Sequence, residues 1–255
     1  MKRLLIMAAL SLAISPCVAK NPPPPPPSGM MDHALLERYN QGVTFFKHGE
    51  LEKALSIFSS VALSAPSDPL VHLSLAAVMH EHGDTDNAIS EYRRAILLRP
   101  YDAFACECLG TLLQGQGDIQ EAINEYQQAI NLRPDVPLFH LNMGIAQRVA
   151  GNRDAAVNEL RQVLQAYPEH LRARSQLAAA YQDKGAFEAA AAEWRKVLAH
   201  QPNNFSVMYD LGSCLLSLKR YDDASEVLQK AIKVDNNVAA AHALLATAQS
   251  RKGLY

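Results

Sequence analysis

The sequence repeats every 34 residues, and this period constrains the fold more than any other feature. Glycines and prolines each recur at this step, and alanines recur between them. These residues are Gly49, Gly83, Gly117, Gly151 and Gly185; Pro66, Pro100, Pro134, Pro168 and Pro202; and Ala54, Ala88, Ala122, Ala156, Ala190 and Ala224. No insertion or deletion shifts the frame between Leu35 and Val238. A period of this length is typical of stacked supersecondary units.

Each 34-residue repeat is predicted to form two helices joined by a tight turn. In the third repeat, apolar residues at helical spacing occur through positions 104–113 and are followed by Gly117. This glycine can take the left-handed conformation that ends a helix. Asp118 is then expected to cap the second helix, with Glu121 completing a capping box. Pro134 follows the second helix and cannot continue it.

This frame resembles the tetratricopeptide repeat family. Two further residue sets carry the resemblance. A small residue recurs in the first helix (Gly42, Ala76, Gly110, Gly144, Ala178, Gly212) and a bulky residue in the second (Phe58, Tyr92, Tyr126, Leu160, Trp194, Leu228). The resemblance implies an all-α, right-handed superhelical α-solenoid of six 34-residue helix-turn-helix repeats. They would span 35–68, 69–102, 103–136, 137–170, 171–204 and 205–238, followed by a C-terminal half-repeat or capping helix over 239–255.

The sixth repeat departs most from this pattern. Lys219 stands where the other repeats have the turn glycine, and Asn236 stands where they have the proline. A residue with a Cβ costs about 1 kcal/mol in a left-handed turn. We therefore expect a looser C-terminal end.

The N-terminus predicts a signal peptide over residues 1–19. Lys2 and Arg3 precede an apolar run from Leu4 to Ser15, which is too short to span a bilayer. Cleavage is expected between Ala19 and Lys20, which leaves a Pro-rich linker over 20–34. The protein would then be exported, to the periplasm or to the medium; a cytosolic protein with an apolar N-terminal helix is the alternative.

Cys17 and the prolines after it allow more than one interpretation. Cleavage at Ala19 removes Cys17, whereas lipidation of Cys17 would anchor the chain at the outer membrane. Pro16 stands where lipoprotein signals usually carry Gly or Ala, which argues against lipidation. Pro22 to Pro27 are interpreted as a polyproline II spacer of about 19 Å.

The charge pattern and the motifs argue against several classes of function. The formal net charge is -2, and no stripe of Lys and Arg follows Arg3, so neither nucleic acid nor an anionic membrane is an expected partner. No phosphate loop, nucleophile–base set or carboxylate pair is evident. We therefore predict no enzymatic activity, no cofactor, no metal and no small-molecule substrate.

Three histidines are candidate metal ligands. His80 and His82, with His48 one repeat earlier, form the best candidate set. Two residues apart on a helix, their side chains point about 200° apart, which is poor geometry for one shared ion. Another set recurs near the start of three first helices, which indicates a role in packing: His72, His140 and His242.

The cysteines of the repeats do not predict a disulfide framework. The side chains of Cys106 and Cys108 diverge along one helix, and Cys214 lies three repeats away. These three are not expected to pair with one another. They are interpreted as small buried apolar residues, and an intermolecular bond remains open.

The family resemblance implies that the first helices line a concave groove. The predicted groove residues, spaced i, i+4, i+7 on each first helix, are Tyr39, Val43, Phe46, Leu73, Ala77, His80, Glu107, Thr111, Gln114, Leu141, Ile145, Arg148, Ser175, Ala179, Gln182, Tyr209, Ser213 and Leu216. This mixed surface suits an extended peptide or a helix. Tyr39 and Val43 replace the basic and amide residues of the carboxylate clamp in chaperone-binding members, so no such clamp is expected.

The sequence thus predicts a non-enzymatic interaction scaffold or adaptor of the bacterial cell envelope. It would bind a peptide or helix of an unidentified protein partner. Three alternatives remain open. These are a self-assembling structural scaffold that forms homo-oligomers, an outer-membrane lipoprotein that assists assembly of a pilus or secretion complex, and a subunit of an enzyme whose catalytic residues lie on another chain.

Overall fold

The computed structural model describes residues 32–252, which form thirteen α-helices and no strand. In chain order the helices are α1 (His33–Lys47), α2 (Leu51–Ser64), α3 (Pro69–His82), α4 (Thr85–Leu98), α5 (Ala103–Gln116), α6 (Ile119–Leu132), α7 (Pro137–Val149), α8 (Arg153–Ala166), α9 (Leu171–Lys184), α10 (Phe187–His200), α11 (Phe205–Ser217), α12 (Tyr221–Val234) and α13 (Ala239–Lys252). The predicted fold class, an all-α solenoid of six helix-turn-helix repeats and a terminal helix, is confirmed. The signal peptide, Cys17 and most of the Pro-rich linker lie outside the described residues.

The chain divides into two compact units. The first ends at Phe139 and the second begins at His140, within α7. In the first unit, the small core residues between α1 and α3 include Ala54 and Val61, packed around Tyr39 and Phe58. In the second unit, the core between α9 and α13 is built around Trp194 and Leu215.

The repeat glycines end the first helices as predicted. Gly117 has φ +97°, in the left-handed region. Its N–H donates to the carbonyl of Gln114 at 3.2 Å, and the N–H of Asp118 donates to the carbonyl of Leu113 at 2.9 Å. These two bonds satisfy carbonyl groups that the helix end would otherwise leave free.

The capping box predicted at Asp118 is wrong. The Asp118 side chain accepts no capping hydrogen bond, and ψ of this residue is 59°. Asp102, at the start of α5, has the more extended ψ of 92° and does accept from the N–H of Ala105, at 3.1 Å. The tight glycine turn holds Asp118 away from the extended backbone that a side-chain cap requires. Side-chain caps therefore occur at first helices in this fold.

Close contact between the two helices of a repeat depends on the small residue of the first helix. A Cβ atom added to Gly110 would lie 2.8 Å from Cε1 of Tyr126, and one added to Gly212 would lie 2.7 Å from Cγ of Leu228. Both distances are shorter than van der Waals contact. The pairing of a small and a bulky residue is thus a packing requirement.

A polar contact that we call the clamp joins consecutive repeats. In the first unit, His72 bonds Glu91 through Nδ1 at 2.5 Å and the carbonyl of Pro66, from the preceding repeat, through Nε2 at 2.9 Å. In the second unit, Arg174 occupies the equivalent place, donates to Glu193 at 2.8 Å and also donates to the Pro168 carbonyl.

Two of the three recurring histidines are buried. His72 and His140 are buried, and His140 bonds Glu159 at 2.7 Å, so the predicted packing role is confirmed for both. His242 is exposed and bonds the Asn236 carbonyl at 3.1 Å, so the packing role predicted for His242 is wrong.

The third repeat lacks the clamp, because Cys106 stands where the histidine or arginine would be. Glu125, at the position equivalent to Glu91, has a buried Oε2 with no hydrogen-bond partner among the described residues. Burial raises the pKa of Glu125. It also raises the pKa of the Cys106 thiol to about 12, with a smaller contribution from Glu125.

The cysteines of the repeats are buried, as interpreted from the sequence. Cys106 and Cys214 are free thiols with 0% of their surface exposed, and Cys108 is 9% exposed. Because Cys106 and Cys214 are free, neither is bonded to the other or to Cys108, and the prediction that these three do not pair with one another is confirmed.

The turn at Lys219 offers a test of backbone strain. Lys219 has φ +60°, the conformation that glycine adopts in the other repeats. Lys219→Gly is expected to raise the free energy of unfolding by about 1 kcal/mol, because glycine takes this conformation without a steric cost. The reciprocal control is Gly185→Lys, since an added Cβ at Gly185 meets no atom within 4 Å. Urea denaturation should show opposite shifts; equal signs would contradict the strain argument.

Candidate protein-binding faces

The predicted groove residues lie on the first helices of both units, and they fall into two classes by burial. The buried ones are Tyr39, Ala77, Glu107, Gln114, Leu141 and Ile145. The half-buried ones are Val43, Phe46, Leu73, His80, Thr111, Arg148, Ser175, Ala179, Gln182, Tyr209, Ser213 and Leu216. We call the half-buried sets the first-unit face (Val43 to Thr111) and the second-unit face (Arg148 to Leu216). Of the predicted groove residues, only those on these faces are accessible enough to contact a partner.

Tyr39 serves the packing of α1 against α3. Its ring packs edge-on against Phe58, with 5.4 Å between ring centroids, and its hydroxyl lies 2.8 Å from the Ser74 hydroxyl. Burial raises the pKa of Tyr39 to about 12. Tyr39 is therefore a core residue beneath the first-unit face.

Two glutamines near the ends of first helices are oriented by the second helix of their own repeat. The indole N–H of Trp194 donates to Oε1 of Gln182 at 3.3 Å, and the hydroxyl of Tyr126 donates to Oε1 of Gln114 at 3.0 Å. Because an indole can only donate, the Gln182 oxygen is committed as acceptor. The amide N–H groups of Gln182 are then the atoms left to bond a ligand.

A charged cluster lies beside Gln182 on the second unit. Arg148 donates to Asp183 through a guanidinium nitrogen at 3.0 Å, and its Nε is buried with no hydrogen-bond partner among the described residues. Asp210, on α11, is partly buried. Burial raises the pKa of Asp210 to about 6, while Arg148 opposes this rise and Asp183 adds to it.

The spacing argument from the sequence missed Asp183 and Asp210. Each follows directly after a predicted residue, Gln182 and Tyr209 respectively. The i, i+4, i+7 pattern selects one column of the helix surface and omits the adjacent column. Charged residues next to a predicted face residue were the available signal.

Two aromatic side chains precede Asp210 on α11. Phe205 and Tyr209 stack with 6.2 Å between ring centroids and an interplanar angle of 22°. Both are half-buried. Cys214 lies one turn after Asp210, and its sulfur contacts Oε1 of Gln182 at 3.3 Å. This contact places the Gln182 end of α9 against the Asp210 face of α11.

The histidines proposed as metal candidates have other environments. His82 bonds Glu52 at 2.7 Å on the surface. His80 is half-buried, and burial lowers its pKa. Within residues 32–252, His, Cys, Asp and Glu do not gather in threes in a way that could hold a metal ion. Helices with the length and apolarity to cross a membrane are likewise not found in this range.

Family models described as tetratricopeptide repeat match most of the described chain. One matches residues 39–103 and 141–194, another 182–248, and a third, described as TPR repeat, 110–148. No curated protein matches the sequence.

Solved structures share the fold at low sequence identity. PilW, described as a widely conserved type IV pilus biogenesis factor, is 17% identical with a TM-score of 0.70; the match covers 84% of this chain and 100% of that one. PilF of Pseudomonas aeruginosa is 17% identical with a TM-score of 0.69, over 85% and 98% of the two chains. YrrB, described as a TPR protein with an unusual peptide-binding site, is 18% identical with a TM-score of 0.66, over 73% and 96%.

Proposed function

Since this chain belongs to the tetratricopeptide repeat family, we propose that it is a non-enzymatic scaffold that holds a segment of another protein on the faces of its first helices. The fold implies protein partners in general, and no catalytic family matches the chain. One observation carries the specific proposal. The Trp194 indole fixes the Gln182 amide so that its donors remain available on an accessible face.

An extended segment fits such a face. Amide donors can bind main-chain carbonyl groups, and half-buried apolar side chains such as Leu216 and Val43 can bind side-chain anchors. Association of this kind depends on a few anchors and on hydrogen bonds that replace those made to water. The mixed composition of both faces supports this mode over a purely apolar interface.

Site-specific photocrosslinking in the native cell tests this proposal. A benzoylphenylalanine at Val43 or Ser213, on the accessible faces, is expected to crosslink a discrete partner. The matched controls are Ser90 and Arg161, which are exposed on the second helices α4 and α8. Equal crosslinking from all four sites, or none from the face positions, would refute binding on these faces.

We also propose that the protein acts in the cell envelope of a bacterium, in the periplasm or at the outer membrane. The predicted signal peptide supports this location, and the similarity of fold to a pilus biogenesis factor is consistent with it. A role in assembling an envelope or appendage complex would follow. Intact mass of the envelope-derived protein is expected to correspond to a chain that begins at Lys20; an N-acylated Cys17 would instead favour the lipoprotein alternative.

Self-assembly is the second candidate function, and exposed leucines favour it. Leu63 and Leu97 occupy equivalent places on α2 and α4 of the first unit, and they are 86% and 80% exposed. Apolar side chains at such exposure can mediate contact between copies. Sedimentation velocity would show association that weakens in a Leu63→Glu, Leu97→Glu variant. A monomer at every concentration would eliminate this candidate.

A further inference from the structure

Asp210 is a half-buried carboxylate on α11 of the second unit, and no ion pair within the described residues accounts for it. No described residue donates a hydrogen bond to it, and the nearby Arg148 bonds Asp183 instead. Other partly buried carboxylates of the unit are paired, Glu193 with Arg174 and Glu159 with His140. A desolvated carboxylate without a partner lowers stability, so Asp210 is a candidate for a group that a ligand completes.

The charge around Asp210 selects the type of ligand. Asp183 and Asp210 carry two negative charges when ionised, and Arg148 carries one positive charge. The cluster is therefore negative overall, although the N–H at Nε of Arg148 also lacks a partner within residues 32–252. Electrostatic complementarity favours a cation at this point.

The neighbouring groups suit a peptide that carries this cation. Gln182 lies against the same face of α11, through the contact of its Oε1 with Cys214. Its free amide N–H groups can bind a main-chain carbonyl. Tyr209 directly precedes Asp210 on α11 and its ring stacks on Phe205, so this pair offers an apolar surface on which the methylene stem of a long side chain can pack.

We infer that Asp210 binds a lysine or arginine side chain of the protein segment held on the second-unit face. This inference rests on the proposed function and specifies its partner: an extended segment with a basic residue that pairs with Asp210, beside a main-chain carbonyl that accepts from Gln182. Arg148 and Asp183 position the site by holding each other in place. The residues of the first-unit face do not contribute to binding of this basic side chain.

Selection from a random dodecapeptide library displayed on phage tests the inference on the purified protein. Wild-type protein is expected to enrich peptides with Lys or Arg at one aligned position. Asp210→Asn should abolish that enrichment while apolar preferences persist. The matched control is Asp222→Asn on α12, whose carboxylate is exposed and pairs with Lys252 on the surface.

A synthetic peptide from the wild-type selection gives a second measurement that leaves the protein unchanged. Replacing its basic residue with norleucine keeps the stem and removes the charge. We expect the dissociation constant for wild-type protein to rise about tenfold, with little further change for Asp210→Asn.

The outcomes separate the two proposals. If wild-type protein selects no specific peptide, binding of an extended segment on the second-unit face fails, and this inference fails with it. If peptides are selected without a basic residue, or if Asp210→Asn keeps the basic preference, only this inference is overturned. Loss of the preference in Asp210→Asn but not in Asp222→Asn supports it.

Discussion

Arg174→Leu is expected to lower the free energy of unfolding by about 3 kcal/mol. The side chains of Arg174 and Glu193 are only 11% and 14% exposed. Removing one partner of a buried ion pair leaves the other without compensation, which costs on the order of 3–5 kcal/mol. Lys196, 2.7 Å from Glu193, retains part of the pairing and keeps the effect at the lower end. The Pro168 carbonyl of the preceding repeat also loses its donor.

Arg195→Leu is the matched control. Arg195 is exposed and lies on α10, the helix of Glu193, two residues after that glutamate. This substitution should change stability by less than about 0.5 kcal/mol. Repeat proteins can unfold in parts, so hydrogen exchange of peptides from α8 to α10 should accompany urea denaturation. If both variants behave alike, the clamp does not stabilise the contact between these repeats.

The third repeat is a natural comparison for this prediction. Cys106 replaces the clamp residue there, and Glu125 keeps a buried oxygen without a partner among the described residues. Its raised pKa reports the same desolvation that Glu193 would experience in Arg174→Leu. The fold therefore tolerates one missing clamp, which is why Arg174→Leu is expected to weaken the array and not to prevent folding.

Asp210→Asn is expected to stabilise the protein by about 3 kcal/mol at pH 8. The pKa of Asp210 is raised from 3.8 to about 6 by burial, so the folded state holds the proton to higher pH than the unfolded state does. Stability therefore falls as pH rises from about 4 to about 6, and the loss remains above that pH. Each pKa unit corresponds to about 1.4 kcal/mol. Asparagine removes this penalty, so its benefit should be small at pH 4.

Urea denaturation of Asp210→Asn at pH 4 and pH 8 measures this difference, with Asp222→Asn as control. Asp222 is exposed and pairs with Lys252 across the surface, so its replacement should change stability little at either pH. A destabilised Asp210→Asn at pH 8 would mean that the carboxylate has a stabilising partner. Stabilisation together with weakened binding of the selected peptides would show that function is maintained at a cost in stability.

The repeat frame and its turns could be predicted because they depend on local chemistry. A glycine such as Gly117 ends a helix through its own backbone freedom, and a proline after a helix acts through its own ring. Lys219 was identified as the exception for the same reason. The prediction at Asp118 failed because the turn before it controls the backbone angle on which a side-chain cap depends.

The candidate site could be predicted only in part. Half-buried face residues such as Gln182 and Arg148 follow from helical spacing and the family resemblance. Spacing does not show that Gln182 bonds Trp194, or that Arg148 pairs with Asp183 from the next repeat. These contacts depend on how far one helix is offset from another, which a pattern along one helix does not contain.

The sequence by itself determined the repeat architecture of this protein: its period, its two helices per repeat and the close approach of small and bulky residues. These features need only short-range interactions, which recur in each repeat. The tertiary structure decided which polar groups have partners. Arg174 is paired with Glu193 of its own repeat and, across a repeat boundary, with the Pro168 carbonyl, whereas Asp210 is partly desolvated without a donor among the described residues. The pairing of a buried group depends on atoms from distant parts of the chain, and only the folded arrangement brings those atoms within hydrogen-bonding distance.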